Sequence, residues 1–188
     1  MAEFEERIHE AVEHGHGGSR LGNMVALSVA LAATFVAIAS VKDRNITLRM
    51  NQAQARAIDT WNYYQAKSMK QNLAEATLDQ MVAVKAGEES IAHYKKSAAR
   101  YEKEKDQVKE EAEGYEKKYE ELNGQHDLFD LSDAAMSVAI AILGVTALTR
   151  KKWLYGVAVV FLAVGLFFGL AGFLNLPIHP ESAVKWLA

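Results

Sequence analysis

Three long stretches of this chain carry no charge, and they constrain its fold more than any other feature. Residues 22–41 are uncharged, as are residues 153–176, and a third run at 137–149 extends back to Leu131 with only Asp133 interrupting it. A hydrocarbon core about 30 Å thick takes roughly 20 apolar residues as a helix. The first and third of these segments along the chain meet that length. The middle one is at its short end and begins beside an acid. The expectation is an all-α integral membrane protein with transmembrane helices at 21–41, 131–149 and 153–176. A cleaved signal peptide does not fit the first run. The run is longer than the usual apolar region of such a peptide, and the preceding MAEFEERIHEAVEHGHGG is acidic rather than basic. A buried hairpin of a soluble domain does not fit the other two, because little other apolar sequence exists to cover it.

Whole-chain averages conceal this segregation: mean hydropathy is −0.09 and net charge −3. Cysteine is absent, which excludes disulfides, thiolate chemistry and cysteine-ligated metals. Proline is absent before Pro177, so long unbroken helices are permitted.

Residues 42–130 are polar, with charges of both signs nearly balanced, and they hold most of the Trp and Tyr of the chain. Disordered segments combine high net charge with few aromatics, so this segment reads as ordered. Ile91, Tyr94, Ala98, Tyr101, Lys105, Val108, Ala112, Tyr115, Tyr119 and Leu122 recur at steps of three and four without a slip. A seam sustained over that many heptads predicts a coiled-coil-like helix. The preceding segment is also helical in pattern. Ile46, Met50, Ala53, Ala57, Trp61 and Tyr64 share one face, and Leu73, Thr77, Met81 and Val84 a face lower down.

Gly87 followed by Glu88 and Glu89 gives a stop and a start. The expectation is therefore an extramembrane antiparallel helical hairpin over 42–130, with its tip near Gly87. Its arms of about 35 to 42 residues would be roughly 55–60 Å long. Trp61 then faces the return arm near Ala112 to Tyr115. The aromatics of WNYYQAKSMK either plug the space between the arms or meet another copy. Asn123-Gly124 is expected to end the return arm, with Asp130, Ser132 and Asp133 capping the second span.

Inside a bilayer, helices associate through small residues. The first span carries Ala26, Ala30, Ala33 and Ala37, the second Ala134, Ser137, Ala141 and Gly144, and the third Gly165 and Gly169 in a GxxxG followed by Gly172. Small faces on three spans predict tight packing within the chain, between copies, or both, and a homo-oligomer. No ionisable residue lies deep in a span, which counts against proton relays, pumps and voltage sensors. A pore lined by small and hydroxyl residues is not excluded. The basic loop 150–152 favours a cytoplasmic amino terminus. Lys42, Arg44, Arg49 and Arg56 after the first span pull the other way.

The polar head, residues 1–20, has Phe4, Ile8 and Val12 at the spacing of a short amphipathic helix. Its His9, His14 and His16, with Glu10 and Glu13, are weak candidates for a divalent metal; the surrounding glycines favour a plain acidic tail, and no cofactor is assigned. His93, His126 and His179 stand alone. No Walker motif, nucleophile elbow, H-E-x-x-H or dinucleotide fingerprint occurs, so no enzyme and no catalytic residue is expected. The expected partners are the lipid bilayer, further copies of the chain and a possible protein partner through the hairpin, not nucleic acid.

The His/Glu-rich head, the WNYYQAKS stretch, the DLFDLSDA segment, ALTRKKWLYGVAVV and a short tail (177–188) containing IHP together resemble the bacterial membrane-protein family catalogued as domain of unknown function 4337. The resemblance runs over essentially the whole chain. It implies a small protein of the bacterial inner (cytoplasmic) membrane with three spans and a helical insert, and it carries no activity, ligand or catalytic residue. The functional expectation is a homo-oligomeric scaffold or stalk. The alternatives are an oligomeric pore with the hairpins as vestibule, and a histidine-based metal or pH sensor.

Overall fold

A computed structural model describes residues 20–176, and among these every regular element is an α-helix. Helix α1 is Arg20–Ala83, α2 is Glu88–Thr149 and α3 is Lys152–Phe173. All three are long and apolar enough over part of their length to cross a membrane. The expected stop at Asn123-Gly124 does not occur: α2 runs through it unbroken. A glycine inside a helix costs only about 1 kcal/mol relative to alanine. The residues just beyond it recover that by packing, since Leu128 and Phe129 are buried and Gln125 Nε2 donates to the Gly172 carbonyl at 2.7 Å. Asp130, Ser132 and Asp133 consequently lie inside α2 and cap no helix start.

The turn between α1 and α2 also assigns its residues differently from the sequence reading. Lys85, not Gly87, takes the left-handed conformation, with φ 54°. The Lys85 amide donates to the Val82 carbonyl at 3.1 Å and the Ala86 amide to the Met81 carbonyl at 2.9 Å. These two bonds close α1 in a Schellman arrangement. Gly87 belongs to the start of α2: its carbonyl accepts from the amides of Ser90 and Ile91, and Glu88 and Glu89 follow in the first turn. The α2–α3 connection is Arg150 and Lys151, with Arg150 at φ 54°.

The chain forms two compact units, residues up to Asn45 together with those from Gly124, and Ile46–Asn123. In the first unit α2 and α3 are antiparallel. Leu143 and Ala158 share a buried cluster with Val25, Met136 meets Gly165, and Phe129 meets Gly172 and, edge to face at 5.3 Å, Phe173. α1 joins them through Phe35 against Phe173, with ring centroids 6.3 Å apart, and through Ser28 Oγ 3.1 Å from the Tyr155 hydroxyl. Met136, Ala139, Leu143, Thr146 and Ala158 have no exposed surface. The buried Ser132 Oγ donates to the Gly165 carbonyl at 2.8 Å.

The small-residue faces divide. Gly165, Gly169 and Gly172 are buried at helix contacts. A Cβ on Gly165 would stand 2.8 Å from Met136 Cγ, and one on Gly169 2.5 Å from Phe35 Cζ and 2.8 Å from Ser132 Oγ. Ala26, Ala30, Ala33 and Ala37 are all exposed, as are Ala134, Ser137, Ala141 and Gly144. Within the chain α1 instead packs through Val25, Ala32 and Ala39.

In the second unit Ala98, Val108 and Ala112 are buried, and Ile91, Tyr94, Tyr101, Lys105, Tyr115, Tyr119 and Leu122 half-buried. Along 46–64, Ile46, Ala53 and Ala57 are buried and Met50, Trp61 and Tyr64 half-buried. Lower down, Thr77 and Met81 of the expected face are half-buried. Leu73 and Val84 are exposed, and the seam runs through Lys67, Gln71, Ala74, Leu78 and Met81.

Gly169→Ala should destabilise the first unit by about 1–3 kcal/mol, the usual cost of overpacking, because Phe35 and Ser132 must both move. Gly144→Ala, which meets nothing within 4 Å, should stabilise slightly, by up to about 1 kcal/mol. Thermal unfolding of the detergent-solubilised chain measures both. Equal melting temperatures for the two variants would show that the α3 contact is loose.

Candidate functional site

At one end of the first unit, three ionisable side chains converge from two helices. Asp43 comes from α1, and His126 and Asp130 stand one turn apart on α2. His126 Nδ1 is 2.6 Å from Asp43 Oδ1, and His126 Nε2 is 3.6 Å from Asp130 Oδ2. The histidine and Asp43 side chains are each about a quarter exposed, and Asp130 is mostly exposed. A pocket of about 90 Å³ lies against the group, walled by Asp43, Asp130, Asp133, Ser40 and Ser132 on its polar side and by Val36, Ala39 and Phe129 on its apolar side.

The electrostatics follow from this crowding. Partial burial disfavours the charged imidazole of His126. The Asp43 hydrogen bond and the negative charges of Asp130, Asp43 and Asp127 outweigh it, so the His126 pKa is raised. Burial also pushes the Asp130 carboxyl up, with Asp43, Asp127 and Asp133 adding to the shift and His126 opposing it. Chemically the group offers an imidazole with one nitrogen engaged by a carboxylate and the other turned towards a second carboxylate. It suits a proton or a cation. In the sequence His126 stands alone and Asp130 has the place of a helix cap; in the fold both belong to this cluster. A signal was available: folding the arms back at residue 87 places residue 43 opposite the region of residues 126–130.

The aromatic stretch on the outgoing arm forms the second polar assembly. Trp61 Nε1 donates to Glu116 Oε1 at 2.7 Å, one residue past the expected Ala112–Tyr115 region, and packs edge-on against Tyr64 at 5.3 Å. Arg56 lies 5.7 Å over the Tyr115 ring. Lys67 Nζ binds Glu104 and lies 5.0 Å over Tyr63 and 5.8 Å over Tyr101. Moving from Arg56 to Lys67 on one arm thus moves back by the same interval, Tyr115 to Glu104, on the other, and the arms are antiparallel here. Gln71 is buried in the seam; its Nε2 donates to Glu75 at 2.8 Å and its Oε1 has no partner.

Two measurements test this seam. Gln71→Leu should raise thermal stability by about 1–3 kcal/mol, the cost of a buried polar atom without a partner; a drop in stability would show that Gln71 holds the register. The Lys67–Glu104 pair lowers the Glu104 pKa below its ordinary 4.5 and raises that of Lys67 above 10.5, each chiefly through the hydrogen bond between them. A depressed carboxylate stabilises above its ordinary pKa and stops doing so as pH falls through the folded value. A raised lysine stabilises below its ordinary pKa and stops as pH rises through the folded one. The pair therefore acts fully between 4.5 and 10.5. In circular dichroism melts, the difference between the parent and Glu104→Gln should vanish well below pH 4.5 and shrink with added salt.

His9, His14 and His16 lie outside the described residues, and His93 makes an edge-on contact of 5.4 Å with Tyr94. No curated protein and no solved structure matches the chain. The pattern that defines a protein family described as Domain of unknown function (DUF4337) matches residues 21–175. That match covers most of the sequence, and the chain belongs to this family.

Proposed function

We propose that the chain is a multi-pass membrane protein of the bacterial inner membrane that self-associates and serves as a scaffold or stalk, without catalytic activity. Its three apolar segments insert in the bilayer, and the antiparallel arms form a hairpin outside it. The length and composition of the three helices support insertion. So does the first unit's surface, where Leu27, Leu31, Ile38, Phe167 and Leu170 are each more than half exposed. Large apolar side chains left exposed in this way suit a membrane or protein contact.

The observation that carries self-association is the unused small-residue face. Ala26, Ala30, Ala33 and Ala37 are exposed while the chain packs through a different side of the same helix. Ala33 and Ala37 also line an open groove of about 780 Å³ with Thr34, Ile38, Val41 and Phe173. Small residues allow the close backbone approach on which helix association in lipid depends. The outgoing arm adds a second contact surface. Leu48, Ile58, Met69 and Leu73 are exposed away from the seam, whereas none of the exposed large apolar side chains among the described residues falls on the return arm.

The pore reading would require a channel between copies, because the interior of the first unit is filled by side chains such as Met136 and Leu143. Light scattering of the purified chain in detergent or nanodiscs should give the mass of more than one copy. Ala33→Leu combined with Ala37→Leu should shift that mass downwards without loss of helicity. A monomeric mass for the parent chain would sink the reading.

A further inference from the structure

Asp43, His126 and Asp130 bring one imidazole nitrogen and two carboxylate oxygens within 4.8 Å of one another. The two ring nitrogens have different surroundings. Nδ1 is hydrogen-bonded to Asp43 at 2.6 Å. In the neutral ring, with Asp43 accepting, the proton sits on Nδ1 and Nε2 keeps its lone pair. Nε2 faces Asp130 Oδ2 at 3.6 Å, beyond hydrogen-bonding range. That separation suits two atoms sharing a metal: bonds of about 2.0–2.2 Å to nitrogen and oxygen at near-tetrahedral angles hold the donors roughly 3.4 Å apart. A carboxylate on the far nitrogen is the usual outer partner of a metal-ligating histidine, where it fixes tautomer and ring orientation. The i,i+4 spacing of His126 and Asp130 sets both donors on one face of α2 before any ion arrives.

We propose that His126 Nε2 and Asp130 bind a divalent transition-metal cation of the zinc class. Asp43 is the positioning carboxylate, and Asp133 and Ser40 in the adjoining pocket wall supply further oxygens together with water. An imidazole beside carboxylates suits such a cation, whereas calcium takes six to eight oxygens. The site is independent of self-association, so either can fail alone.

The test is calorimetric titration of zinc chloride into the full chain in detergent, with His9, His14 and His16 replaced by Ala to silence the head. Saturable binding of one equivalent is expected. His126→Ala and Asp130→Asn should abolish it, and Asp43→Asn should weaken it roughly 10- to 100-fold. His93→Ala should leave it unchanged, and calcium chloride should give no heat of binding. Asp130→Asn is nearly isosteric, so it keeps the test decisive if His126→Ala fails to fold. Absence of zinc binding, its survival in both ligand variants, or calcium binding of equal strength overturns the proposal.

Discussion

A seven-residue period governs the burial pattern along α1. Val25, Ala32, Ala39, Ile46, Ala53, Thr60, Lys67, Ala74 and Met81 are successive members of one line, and each is buried or half-buried. On α2 the line Tyr94, Tyr101, Val108, Tyr115, Leu122, Phe129, Met136 and Leu143 does the same. A straight α-helix drifts about 20° per heptad, so a contact repeating every seven residues holds its neighbour only by supercoiling around it. One geometric rule thus serves two chemical settings. In the apolar unit the line is filled by Val, Ala, Phe, Met and Leu, with Met136 against Gly165, Phe129 against Gly172 and Leu143 against Ala158 of α3. In the polar unit it mixes Ala, Thr and Lys with Ile and Met on α1, and Tyr with Val and Leu on α2.

The polar residues of the seam have a distinct role. Lys67 on that line, and Gln71 and Lys105 four residues from members of it, occupy positions where leucine would pack better. Isolated polar groups in a coiled-coil seam reduce stability and restrict register. The Lys67–Glu104 contact and the Trp61–Glu116 hydrogen bond each tie one residue of the outgoing arm to one on the return arm. An apolar seam with alanine at so many positions tolerates sliding; directional bonds at these points do not.

Much of this was legible in the sequence, for physical reasons that also explain the gaps. The return-arm seam could be read because its tyrosines and alanines stand out against Glu and Lys. The GxxxG of α3 was legible because three glycines on one helical face have little other use. On the outgoing arm apolar composition points to a face of Leu73, Thr77, Met81 and Val84, of which Leu73 and Val84 are exposed. Extending the steps of three and four from Ile46 would have led instead to Lys67 and Gln71. The helix through Asn123-Gly124 was illegible locally, because the local preference for a stop is outweighed by long-range partners such as Gly172. The Asp43–His126 contact depends on residues eighty-three apart in sequence, and only the folded arms bring them together.

The uninterrupted course of α1 through Asn45–Ile46 and of α2 through Asn123–Gly124 bears on how such a chain can change length. At 3.6 residues per turn, one inserted residue turns every later side chain by about 100° relative to those before it. No loop lies within either helix to absorb that turn. A single insertion in α1 would leave the residues on one side of it aimed at their seam and swing those on the other side away. A whole heptad restores the face to within about 20°, and an equal heptad in the return arm is then needed to keep Lys67 opposite Glu104. Length variation in such a pair of helices is therefore quantised in sevens and shared between the arms. Elsewhere in the chain, the two-residue link at Arg150 and Lys151 is free of that arithmetic.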